Sequence, residues 1–320
     1  MSGSPYRKGL HAYAVAVAVA TGCLLFVGGL VTSTGSALAV PTWPLDAGTL
    51  FPHMAGGVLF EMGHRLVAGT VGLLTVGLAV WVWLAESRRW VRVLGVTAAV
   101  TILLQALLGG LTVLLRLPLA MAIAHAGVAQ IMFAVSVTIA LVTSRGWLEA
   151  RARAPDAGSP SLRTLTAVTV AAVYLQILVG ALVRHTGAGL AIPDFPLAFG
   201  RLVPPLASRL VLYDFAHRAG ALVVTVLAVW TAGAVLRRHR DAPPLARPAL
   251  LLIVLLGWQI FLGATIVLSA RAVIPTTTHV VSGALILVTA LVLALRVRRH
   301  LAPAAAPVTA RAPAGLEAAA

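Results

Sequence analysis

Eight apolar blocks of about twenty residues each dominate the sequence, and short polar segments separate them. A helix rises about 1.5 Å per residue, so a block of this length covers the roughly 30 Å hydrocarbon core of a bilayer. Only 10% of the residues are charged, against about 25% in a globular domain. This excludes a disordered chain, disfavours a soluble enzyme, and predicts an all-α membrane protein with eight transmembrane helices. The predicted spans are about 12–33, 62–84, 94–115, 121–143, 164–184, 214–236, 248–270 and 275–296.

The basic residues are divided unevenly between the two sides of the membrane. The net charge is +15 and the pI about 11.7, which in a soluble protein would favour nucleic-acid binding. Here the basic residues lie in short loops rather than in one patch with aromatic residues, so we expect no nucleic-acid partner. With the N-terminus inside, 17 of the 24 basic residues fall on the inner side and 7 on the outer side. The positive-inside rule then predicts a multi-pass protein of the cell (plasma) membrane with both termini cytoplasmic.

The two halves of the chain resemble each other. Residues 28–45 read GGLVTSTGSALAVPTWPL and residues 180–197 read GALVRHTGAGLAIPDFPL, with 10 of 18 positions identical. Further matches follow downstream, and the offset drifts only from 152 to 154 residues. Each half has an even number of spans, so both enter the membrane from the same side, which predicts a parallel repeat of two pseudo-symmetric four-helix bundles. The predicted domains are residues 1–150, residues 151–300 and a disordered, Ala- and Pro-rich tail at 301–320.

Four of the nine histidines lie inside apolar spans, each within the first turn or two of an even-numbered span. They are His64, His125, His217 and His279. Ionisable residues at membrane depth are costly and usually functional. Two imidazoles per half at a similar depth, near the outer face, indicate bis-histidine ligation of a haem iron. A transmembrane histidine also fits a packing hydrogen bond or a proton relay, whereas zinc or copper would need further ligands that the sequence does not supply.

In each half an acidic residue lies three positions before the first of these histidines, and an arginine directly follows that histidine. These residues are Glu61 and Arg65 in the first half and Asp214 and Arg218 in the second. Residues i and i+3 share a helix face, so each carboxylate is expected one turn above its imidazole. The acids can serve as helix-start residues in the field of the N-terminal dipole, or take part in chemistry. The arginines can pair with haem propionates or extend to the outer interface.

A Gln-x-x-x-Gly pattern occurs three times. The pairs are Gln105/Gly109, Gln176/Gly180 and Gln259/Gly263. A small residue one turn from an amide allows close helix approach and an interhelical hydrogen bond, so packing is the simplest role. A smooth path beside a flat macrocycle is the alternative.

Over about residues 10–297 the chain resembles the haem A synthase family of cytochrome oxidase assembly proteins. The resemblance rests on GGLVTSTGSAL with a downstream PTWP, EMGHR, the histidine that opens span four, GALVRHTGAGL with PDFP, AHR and the final TTTH. Two departures stand out. Residues 34–61 lack the cysteine pair that many bacterial members carry, and Thr32 stands where the family usually has an arginine, whereas the second half keeps Arg184.

The resemblance implies an oxidoreductase that converts the C8 methyl of haem O to a formyl group and so makes haem A for terminal oxidases. It implies that the N-terminal half binds the substrate haem through His64 and His125, with Glu61 as the catalytic carboxylate. It implies that the C-terminal half holds a haem B cofactor through His217 and His279. This haem B would carry electrons away.

The partners expected from this resemblance are haem O, the haem O synthase that supplies it and an electron acceptor in the membrane. The bilayer surrounds the protein, and a homo-oligomer is left open. A non-enzymatic dihaem b-type electron-transfer protein would also explain the four histidines, but it gives Glu61 no role. A transporter is suggested only by the repeat.

Overall fold

The computed structural model describes residues 5–46, 48–150, 154–156 and 158–302. These residues form nine α-helices, of which eight are long and apolar enough to cross a membrane. The predicted all-α class with eight spans is thereby confirmed. The helices are α1 Lys8–Ser33, α2 Gly56–Ala85, α3 Arg89–Leu114, α4 Leu119–Val142, α5 Arg145–Leu148, α6 Leu162–His185, α7 Arg209–His239, α8 Pro243–Leu268 and α9 Val273–His300.

The long helices pack in two groups of four. Helices α1–α4, here called the N-terminal bundle, form a closed ring in which each helix contacts its chain neighbour and α1 contacts α4. Helices α6–α9, the C-terminal bundle, form a ring with the same order of contacts. Within each ring the two histidine-bearing helices, α2 with α4 and α7 with α9, therefore lie diagonally opposite each other.

The two bundles meet along α1, α4, α6 and α9. Glycines lie at two of these crossings: a Cβ added to Gly29 would lie 3.0 Å from Cγ2 of Thr277, and one added to Gly127 would lie 2.9 Å from Cδ2 of Leu178. Such small residues let helix backbones approach closely where no hydrophobic effect drives association. Apolar side chains on the outer surface, such as Leu73 and Leu268, remain exposed, as expected for groups that face lipid.

The first helix of each bundle ends at the same Thr–Gly pair. Thr34 and Thr186 each donate their hydroxyl back to the carbonyl four residues earlier, at 2.7 Å in both cases. The following Gly35 and Gly187 adopt φ of +70° and +74°, a left-handed conformation that glycine adopts at low cost and that ends a helix. The chain then enters the two long loops between spans, about 34–55 and 186–208.

Two short strands pair in parallel, one following α5 in the chain and the other following α9. They are β1 Ala154–Pro155 and β2 Leu301–Ala302. The predicted disorder of the tail therefore does not extend to residues 301 and 302. Residues 303–320 lie outside the described residues.

Candidate functional site

The two interior histidines of the C-terminal bundle face each other. The ring centroids of His217, on α7, and His279, on α9, are 6.4 Å apart, and the ring planes make an angle of 65°. Metal–imidazole nitrogen bonds are about 2.0–2.1 Å long, so imidazoles on opposite sides of one ion have ring centroids roughly 6 Å apart. The spacing of this pair fits bis-histidine ligation of one iron.

The interior histidines of the N-terminal bundle occupy matching heights. His64 and His217 each lie eight residues after the first residue of their helices, Gly56 and Arg209. His125 lies six residues after Leu119, as His279 does after Val273. Helices α2 and α7 begin earlier than predicted, so their histidines lie in the third turn rather than in the first two.

Each of the four imidazoles packs against a glycine of the preceding long helix. A Cβ added to Gly28 would lie 3.0 Å from Cε1 of His64, and the corresponding distance to Cε1 is 3.1 Å for Gly109 and His125. In the C-terminal bundle the distances are 3.1 Å for Gly180 and His217 and 3.4 Å for Gly263 and His279. These glycines therefore make room for the rings. Three of the four belong to the Gln-x-x-x-Gly pattern.

The glutamines of that pattern also contact the histidines. Nε2 of Gln176 lies 2.9 Å from Nδ1 of His217 and donates to the His217 carbonyl at 2.7 Å. Nε2 of Gln105 lies 3.4 Å from the Nε2 ring nitrogen of His125 and donates to its carbonyl at 3.0 Å. Nε2 of Gln259 lies 3.2 Å from the Nε2 ring nitrogen of His279. The sequence pattern predicted an interhelical hydrogen bond for these amides, but not that the histidines are their partners.

Unpaired ring nitrogens support a ligand between the histidines. Nδ1 of His64, His125 and His279 is buried and has no hydrogen-bond partner among the described residues. Buried polar atoms are almost always paired, so each exception calls for a partner such as a bound ion. With the glycine-lined space beside each ring and the spacing of the C-terminal pair, these residues fit a haem with two axial imidazoles.

Glu61 and Arg65 fasten the long loop between α1 and α2 to α2. Glu61 is only 3% exposed, and it accepts the Val40 N–H at 2.8 Å and an Arg65 N–H at 2.6 Å. Arg65 donates further to the carbonyls of Val40, Thr42 and Pro44 at 2.9, 2.7 and 3.3 Å. The two terminal nitrogens of Arg65 thus each have two acceptors, which is their full donor capacity.

Asp214 and Arg218 repeat this arrangement at the start of α7. Asp214 accepts the Ile192 N–H at 3.1 Å and an Arg218 N–H at 3.2 Å. Arg218 donates to the carbonyls of Ile192, Asp194 and Leu197 at 2.8, 2.6 and 3.2 Å. The structure therefore engages both arginines with loop carbonyls.

Arg184 links the two bundles near both histidine pairs. From the end of α6 it donates to the Gly29 carbonyl of α1 at 2.7 Å and lies 3.0 Å from Oγ of Ser33. Thr277 of α9 donates to the same Ser33 hydroxyl at 2.9 Å. None of the ion pairs among the described residues includes Arg184. Gly29 directly follows Gly28, which packs against His64, so this contact lies beside the N-terminal site.

The long loop between α6 and α7 contains a carboxylate with a shifted pKa. The N–H groups of Gly200 and Phe199 each donate to Asp194 at 2.7 Å. These hydrogen bonds lower the pKa of Asp194 below its ordinary value because they favour the ionised carboxylate.

Comparison with known proteins identifies the family of the chain. Residues 53–292 match the family described as COX15-CtaA, cytochrome oxidase assembly protein. A protein of Symbiobacterium thermophilum named heme A synthase is 33% identical over 70% of this chain and 74% of its own length. Proteins with the same name from Halalkalibacterium halodurans and Geobacillus kaustophilus are each 29% identical, over 85% and 95% of this chain and 92% and 99% of their own lengths. The chain is therefore a multi-pass membrane protein of the COX15-CtaA family of cytochrome oxidase assembly proteins.

Proposed function

We propose that this protein is a haem A synthase, an oxidoreductase that converts the C8 methyl group of haem O to a formyl group. The observation that carries the proposal is the pair of interior imidazoles in each bundle, with a ring separation of 6.4 Å in the C-terminal pair. The names of relatives that cover most of the chain support the same activity.

The two bundles are proposed to bind different haems. The N-terminal half, residues 1–150, binds the substrate haem through His64 and His125. The C-terminal half, residues 151–300, holds haem B through His217 and His279. Haem B, when bound, supplies one-electron transfer toward an acceptor in the membrane. The corresponding helix contacts of the two bundles support a two-fold internal repeat.

Glu61 is the proposed catalytic carboxylate. Oxidation of a methyl to a formyl group with water as the oxygen donor releases four electrons and four protons. Positive charge or an acidic proton then develops at the edge of the macrocycle, and an ionised carboxylate can stabilise the charge or accept the proton. Glu61 lies one helical turn from His64, where it forms an ion pair with Arg65 and accepts the Val40 N–H. For Arg65 and Arg218 we propose loop anchoring.

The proposed location is the plasma membrane, with both termini in the cytoplasm and the histidine pairs toward the outer face. A haem O synthase supplies the substrate from within the bilayer, and the electron acceptor is also in the membrane.

Acid–acetone extraction of the purified protein, followed by chromatography and mass analysis, tests this function. The proposal predicts haem B together with haem O, haem A or a hydroxylated intermediate. Haem B alone, after co-expression with a haem O supply, would instead identify a dihaem b-type electron-transfer protein. Absence of any haem would refute ligation by the four histidines.

A further inference from the structure

One of the four interior imidazoles has surroundings unlike those of the others. His125, His217 and His279 each face the amide of a glutamine that lies four residues before the glycine beneath the ring. For His64 the glycine is Gly28, and the residue four positions earlier is Leu24. The N-terminal bundle therefore has one amide for its two histidines, whereas the C-terminal bundle has two.

Leu24 places only apolar atoms where the other sites have an amide. It is 8% exposed and packs in a cluster with Val71, Ile102 and Met132. No hydrogen bond of the described residues reaches the His64 ring, and its Nδ1 is buried without a partner.

A polar partner at the ring nitrogen that faces away from the metal strengthens the bond between a ligating imidazole and the metal. It fixes the orientation of the ring, and an acceptor for the second N–H raises the basicity of the ligand. Nε2 of Gln105 and of Gln176 also donates to the carbonyl of its histidine, so these two amides hold the histidine in place from beside the ring. Gln259 makes no such carbonyl bond, so its oxygen can turn to accept the ring N–H. Loss of such a partner costs about tenfold to a hundredfold in metal affinity. By this measure His64 is the most weakly held of the four ligands.

We propose that Leu24 makes His64 the releasable axial ligand of the N-terminal site, while Gln176 and Gln259 retain the haem of the C-terminal site. The inference rests on the proposed function, because a substrate must enter and leave and an electron-transfer cofactor must stay. It makes Leu24, Gln105, Gln176 and Gln259 positioning residues that control haem exchange.

Haem transfer to excess apomyoglobin from the full-length, detergent-solubilised protein tests this idea by its kinetics rather than by activity. The unaltered protein should release haem in two phases, and the haem released slowly should be haem B by mass. Leu24→Gln should slow the fast phase about fivefold, the effect of one added hydrogen bond. Leu24→Met keeps the site apolar and should leave the rate unchanged.

The reciprocal changes test the C-terminal site. Gln176→Leu should accelerate the slow phase about tenfold, whereas Gln259→Glu, which still offers an acceptor to the ring of His279, should retain haem nearly as well as the unaltered protein. If Leu24→Gln does not fold, Gln105→Leu should accelerate the fast phase instead.

Unchanged rates in Leu24→Gln and Gln176→Leu, in a protein that still binds both haems and forms product, would overturn this inference alone. A purified protein that contains no haem, or only haem B, would overturn the proposed function instead.

Discussion

Glu61 and Arg65 lie one helical turn apart on α2 and form an ion pair, with Oε1 and a guanidinium nitrogen 2.6 Å apart. The same relationship holds between Asp214 and Arg218 on α7, at 3.2 Å. In both bundles the pair binds the long loop before its helix through the backbone of Val40 or Ile192. Loop anchoring is thus common to both acids, and any chemical role of Glu61 must be additional to it.

Glu61→Gln separates chemistry from anchoring. The amide keeps the shape of the side chain and still accepts the Val40 N–H, but it carries no charge for the reaction. We expect haem to remain bound and formyl production to fall by about 10²–10⁴-fold, the usual contribution of a general acid or base. Chromatography of extracted haems measures this, with Asp214→Asn as the matched control for anchoring. Equal losses of product in both variants would mean that Glu61 only anchors the loop.

His217→Ala should remove one axial ligand from the C-terminal pair. We expect loss of haem B and of its low-spin absorption spectrum, while the protein still inserts into the membrane. His53→Ala, at an exposed histidine of the first outer loop, is the control and should leave the spectrum unchanged. An unaltered low-spin spectrum in His217→Ala would refute the pairing.

Gly180→Ala should disturb His217 without removing it. The added Cβ would lie 3.1 Å from Cε1 of His217, so the ring must shift by a few tenths of an ångström. We expect weaker haem B retention and altered electron paramagnetic resonance g-values of the low-spin iron. Gly257→Ala, where nothing lies within 4 Å of the added Cβ, should retain haem normally. Identical g-values in Gly180→Ala and the unaltered protein would show that the glycine is not required for ring placement.

Arg184→Met should weaken the contact between the bundles. It removes the donors to the Gly29 carbonyl and the Ser33 hydroxyl, and hydrogen bonds from a charged group contribute about 1.5–3 kcal/mol each. We expect a lower midpoint of thermal unfolding in a fixed detergent and at fixed pH. Arg201→Met, at an exposed loop position, should change stability by less than about 0.5 kcal/mol. Similar midpoints for the two variants would contradict this role of Arg184.

The turn around Asp194 should depend on pH. Its pKa is lower in the folded protein than in the unfolded chain, so ionisation stabilises the turn above the unfolded pKa. That stabilisation is lost as the pH falls through the folded pKa, where the carboxylate becomes protonated. Amide hydrogen exchange of Phe199 and Gly200 should show protection at neutral pH that decreases in acid, after correction for intrinsic exchange. Asp194→Asn should show little pH dependence of protection, and a dependence like that of the unaltered protein would refute the assignment.

Hydropathy alone predicts the eight spans and singles out the histidines inside them. A bilayer leaves no water to satisfy the backbone, so each crossing must be a long apolar helix, and that requirement is visible in composition alone. The four interior histidines stand out for the same reason, since an ionisable residue in an apolar block is costly. The repeat then placed the four at matching positions before any helix packing was known.

The surroundings of each histidine follow only from how the helices pack. Which glycine lies beneath a ring depends on how neighbouring helices are rotated about their axes, and hydropathy does not fix that rotation. The contact of Arg184 with Gly29 joins residues 155 positions apart, and the path of the outer loop makes Val40 a partner of Glu61. The sequence has Leu24 where the other three positions have a glutamine. Only helix packing shows that the three glutamines contact imidazoles and that Leu24 lies among apolar side chains.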